Sequence, residues 1–149
     1  MWRIMGMMFF DNREFFLNAN GDFDKERIVS FCTEKGIALY DTASAVRRLK
    51  DNASDKFLEI VTPTDIPALL KQIPKCNAIV TTGQRATEVI VNMFDCQMPK
   101  VNGVTDVVID GRILRFWRMP SSSRAYPLAL ERKAEAYKEM LLAQGVLKY

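Results

Sequence analysis

The chain has 149 residues, 48% of them hydrophobic and 26% charged, which suits one compact domain with one core and excludes a disordered chain. Its formal net charge of +3 is too small to demand a polyanionic partner, so the distribution of charge says more than the sum. Histidine is absent, which removes Ser-His-Asp and Cys-His nucleophile systems, His-containing zinc sites and a histidine general base.

Trp2, Met5, Phe9 and Phe10 recur at helical spacing and predict a buried helix over residues 1–10. Core packing is the commoner use of such a face, and a homodimer contact is the second. Asp11, Arg13 and Glu14 follow where a secretory leader would need small residues, so the segment reads as structural helix. Asn18–Asp22 is a turn cluster. Asp24 then caps a predicted helix with Ile28, Phe31 and Cys32 on its apolar face and Lys35-Gly36 as its stop. The short apolar run Ile37–Tyr40 predicts a strand covered on both faces, closed by Asp41-Thr42.

Ala43–Leu49 reads as a short helix and Lys50–Ser54 as a loop. Thr62–Asp65 opens a helix that runs through Leu69 and Leu70 and ends near Pro74. Ala78–Thr81 is a second buried strand, and Gly83 turns it into a helix carrying Ala86, Val89, Ile90 and Met93 on one face. Asp106–Ile109 and Arg112–Trp117 are strands around an Asp110-Gly111 turn. After the loop Pro120–Tyr126, Pro127 starts a last helix with Leu130, Ala134, Tyr137 and Leu141 stacked.

This alternation predicts an α/β fold: three layers, α/β/α, around a central, mainly parallel sheet. In such sheets a ligand sits off the carboxyl ends of the strands. Three predicted strand ends carry polar or turn residues: Asp41-Thr42, Thr82-Gly83 and Pro120–Ser123. Their convergence on one cleft is the site expectation. Taken singly, Asp41 is as well explained as a helix cap, and Thr82-Gly83 as a tight turn. Between Asp110 and Glu131 there is no acidic residue, while Arg112, Arg115, Arg118 and Arg124 all fall there. That strip fits phosphate contacts or a solvated strand and loop equally well. The three cysteines, Cys32, Cys76 and Cys96, are odd in number and far apart, as expected of free thiols in a reducing cytoplasm. No segment approaches the length of a membrane span, and no Gly-rich phosphate-binding motif is present.

In order, three segments resemble the uracil-DNA glycosylase superfamily, and most closely its hypoxanthine-DNA glycosylase-like branch. Gly36–Arg47 is similar to the family's strand ending in Asn or Asp, followed by a segment reaching Val-Arg. Ile79–Ala86 is similar to its strand–Gly–helix step, and Arg118–Tyr126 to its X-Pro-Ser loop before the final helix. The resemblance implies a single uracil-DNA glycosylase-like domain over residues 1–149 that acts in base-excision repair. Its reaction would be hydrolysis of the N-glycosidic bond of a deaminated base, uracil or hypoxanthine, in DNA, without metal or organic cofactor.

Carried over by position, Asp41 and Thr42 with Gly83 and Met119 would line the base pocket. An ionised Asp41 would accept from a base N–H. Pro120, Ser121, Ser122, Ser123 and Arg124 would meet the DNA backbone. Met119 stands where other members carry His or Asn, and the family's first strand and Gly-x-x-Pro-Gly-like loop have no counterpart ahead of Met1. The expectation is therefore an N-terminally shortened domain with slow turnover and no assignable catalytic residue. Two rivals remain: a non-catalytic nucleic-acid-binding relative, and an unrelated α/β interaction module.

Overall fold

The computed structural model describes residues 1–41, 43–48, 58–123 and 125–148. The fold is mixed α/β. In chain order its elements are α1 (Trp2–Phe10), α2 (Lys25–Lys35), β1 (Ala43–Arg48), β2 (Leu58–Pro63), α3 (Ile66–Gln72), β3 (Ala78–Thr82), α4 (Gln84–Phe94), β4 (Val104–Ile109), β5 (Arg112–Met119) and α5 (Leu130–Ala143). The chain packs as two compact units, Met1–Tyr40 with Ser122–Tyr149, and Asp41–Ser121.

In the first unit α1 packs against α5, and Ile4, Met5, Ala134, Tyr137, Met140 and Leu141 are buried. An aromatic cluster joins α1 to α2: Phe31 meets Phe9 edge-on at 5.0 Å and Phe16 at 5.1 Å. Helix α2 begins where Asp24 accepts from the Arg27 amide at 3.1 Å and ends at Gly36 in the left-handed region. These are the start and stop expected from sequence.

The second unit carries the sheets. Strands β3 and β5 are parallel, β4 and β5 antiparallel, in the order β3-β5-β4, so this three-stranded sheet is mixed. The β4–β5 turn has Asp110 at φ 49° and Gly111 at φ 78°. Two successive positive φ angles are what a two-residue hairpin loop requires, and the Asp-Gly pair supplies them. Val107, Ile109, Leu114 and Phe116 alternate onto one face and form a core with Leu70 of α3 and Ile90 of α4. Helix α3 starts at Asp65, whose carboxylate accepts from the Ala68 amide at 3.1 Å.

Two expectations are corrected. Ile37–Tyr40 is not a strand; it has no regular structure, and Leu39 and Tyr40 are 53% and 69% exposed. Among the described residues no strand pairs with this apolar run, and without a partner the backbone gains no ladder. Ala43–Arg48 is a strand and not a helix, pairing antiparallel with Leu58–Pro63. The partner holds Ile60, Val61 and Thr62 in succession, a β-branched run that favours pairing, whereas a seven-residue helix is marginal alone.

Candidate functional site

The parallel pairing of β3 with β5 sets Thr82 opposite Met119. At that edge the Gly83 amide donates to the Met119 carbonyl at 2.9 Å, so both chains leave the sheet side by side. Gly83 sits at φ 95°, where an L side chain is strained, and a Cβ there would lie 3.4 Å from Ser121 Cβ. Of the expected strand ends, Thr82-Gly83 thus meets Ser121 of the Pro120–Ser123 loop.

A pair of buried threonines fixes this corner. Thr81 and Thr87 are 4% and 0% exposed, and their hydroxyls share a hydrogen bond of 2.8 Å. The Thr87 hydroxyl is also 2.8 Å from the Gly83 carbonyl, and that of Thr81 is 3.3 Å from the Trp117 carbonyl. Strand β3, helix α4 and strand β5 are joined through two side chains. Sequence alone gives little hint of them, because Thr81 reads as one more strand residue.

No side chain caps α4, whose N-cap is Gly83. Its first-turn amides and the positive end of its dipole lie beside Ser121. Such a corner suits an anionic oxygen.

The remaining expected residues are distributed as follows. Met119 is 1% exposed and Pro120 is buried. Asp41 is exposed, and its backbone carbonyl accepts from the Thr64 hydroxyl at 2.5 Å. Thr42 and Arg124 lie outside the described residues.

Ser122 and Ser123 belong to the first unit. Ser122 shares a hydrogen bond with Tyr137, whose phenol is pushed well above its usual range by burial, the Ser122 bond opposing this in part. The Ser123 hydroxyl accepts from the Ala125 amide at 3.2 Å, and its carbonyl accepts from Lys133 Nζ at 2.7 Å. Lys133 is only 4% exposed. Sequence reasoning passed over it as part of the charged run Glu131-Arg132-Lys133. Its signal is the i, i+4, i+7 spacing to Tyr137 and Met140, which puts it on the buried stripe of α5.

Three of the four strip arginines are structural. Arg112 donates to the carbonyls of Leu70 at 3.0 Å, Pro74 at 3.1 Å and Cys76 at 2.6 Å, with Ile73 at 3.5 Å. Arg115 pairs with Asp106 across the hairpin at 3.0 Å. Arg118 reaches the Pro99 carbonyl at 3.3 Å. The three cysteines are free and half-buried, and burial raises the Cys32 and Cys96 thiols, which disfavours the reactive thiolate.

A cavity of about 510 Å³ opens beside Asn12, Phe15, Asn18 and Arg27, and one of about 230 Å³ beside Pro67, Leu70, Ile109 and Arg112. Neither is lined by Gly83 or Ser121. Among the described residues no three His, Cys, Asp or Glu side chains converge to hold a metal, and no helix is long and apolar enough to cross a membrane. Compared with known families, curated proteins and solved structures, the chain matches none.

Proposed function

We propose that this chain is a uracil-DNA glycosylase-like domain of cytoplasmic base-excision repair. It binds DNA carrying uracil or hypoxanthine and hydrolyses the N-glycosidic bond slowly. The observation that carries the reading is the side-by-side exit of β3 and β5, with Gly83 against Ser121. The strand–Gly–helix step and the X-Pro-Ser loop are two of the three segments that carry the family resemblance, the third being the one that holds Asp41. A three-layer arrangement around a mainly parallel sheet is part of the same proposal. The positive end of the α4 dipole, with Gly83 against Ser121, favours a phosphate oxygen, a contact that positions DNA without reading its sequence.

A second reading, a binder without turnover, is favoured by the burial of Met119. A thioether in the core cannot serve as an acid or base, and no histidine is available elsewhere. A missing general base alone removes about 10²–10⁴-fold in rate.

Fluorescence titration of duplexes across a salt series tests the shared premise, and single-turnover excision from uracil- or hypoxanthine-containing duplexes separates the two readings. Salt-sensitive binding with slow excision that falls in Asp41→Asn supports the glycosylase. Binding without excision selects the second reading, and affinity that does not change with salt overturns both.

A further inference from the structure

Lys133 is a buried lysine with no carboxylate partner among the described residues. Its Nζ lies 2.7 Å from the Ser123 carbonyl and 5.6 Å from the centre of the Tyr126 ring. Lysine is seldom fully buried without an ionic partner, because removing the charge from water costs stability that one carbonyl and one ring only partly offset. One turn further along α5, Tyr137 is 1% exposed and shares a hydrogen bond with Ser122. The polar tips of Lys133 and Tyr137, both on the buried stripe of α5, therefore end on Ser123 and Ser122. Nearby, the Ala125 amide donates to the Ser123 hydroxyl at 3.2 Å and the Tyr126 amide to the Ser123 carbonyl at 3.1 Å. The Ser123 carbonyl thus accepts from two donors, one local and one from α5.

We infer that Lys133 is a positioning residue, with Tyr137 as its companion. It fixes the backbone of Ser122 and Ser123 in the conformation that meets DNA, an inference that rests on the function proposed above. A group kept for stability would not be a buried lysine without a carboxylate among the described residues, since an apolar side chain of the same length fills that space at lower cost. A group kept to orient a loop would be.

The test uses the full chain with Lys133→Met, Lys133→Arg and Tyr137→Phe. Lys133→Met should fold with an unchanged or higher thermal midpoint. Its Ala125 and Tyr126 amides should exchange with deuterium about 5–10-fold faster, the effect of losing one hydrogen bond. Duplex affinity should fall by a similar factor, and Lys133→Arg should restore most of both. Tyr137→Phe changes no charge and should lower affinity about 2–5-fold with the salt slope intact, which separates loop geometry from lost attraction. Unchanged loop exchange in Lys133→Met overturns the inference, as does faster exchange with wild-type affinity. If the unmodified chain itself fails to bind duplex DNA, the proposed function falls first, and that is read without any variant.

Discussion

Ala78–Thr82 and Ile37–Tyr40 are alike in length, apolarity and the polar turn that follows each, yet they take different forms. The first lies in register with five residues of β5, clasps α4 through Thr81 and Thr87, and turns at a glycine whose φ no other residue adopts easily. The second follows the left-handed stop at Gly36, makes one helix-closing bond from the Ile37 amide to the Cys32 carbonyl, and leaves Leu39 and Tyr40 in solvent. An apolar run is a strand only when something accepts its backbone groups, and here the partner and the clasp make the difference.

Substitutions can break or sharpen that contrast. The largest effect is expected from Phe116→Ala, which removes a ring at 0% exposure opposite Ile79. A loss of about 3–5 kcal/mol in urea unfolding is expected. Gly83→Ala should cost about 1–3 kcal/mol, because it forces a side chain to φ 95° against Ser121. Calorimetry showing a neutral Gly83→Ala would mean that the corner is looser than its geometry indicates.

Thr87→Val should lose about 1–2 kcal/mol by leaving the Gly83 carbonyl and the Thr81 hydroxyl each short of a partner. Amide exchange along β3 should rise with it. Tyr40→Ser, in the exposed run, should stay within about 0.5 kcal/mol of the parent chain. If it costs as much as Thr87→Val, the two runs are not as different as their surroundings make them.

What the sequence made legible was local. Asp24 and Asp65 cap their helices, Gly36 stops one, and Asp110-Gly111 turns a hairpin, each through chemistry confined to a few neighbouring residues. The misread elements depend on distant partners: β1 is a strand because Leu58–Pro63 lies beside it, and Ile37–Tyr40 is not one because no such neighbour is present among the described residues. The site divides the same way. The Gly83 turn could be read from sequence, but the burial of Met119 breaks the alternation that puts Leu114 and Phe116 on the core face of β5, and Lys133 looked like any surface lysine until its place on the buried stripe of α5 was seen.

Arg112 carries a consequence for substitution. Its guanidinium gathers carbonyls from the end of α3 and from the chain leading into β3, using a flat fork of five donors on groups that a helix terminus leaves unsatisfied. A lysine would keep the charge but present three donors on a mobile, strongly hydrated tip, which cannot reach three carbonyls spread along a turn. Arginine and lysine are therefore not equivalent at this position, even though a count of positive charges treats them as the same residue.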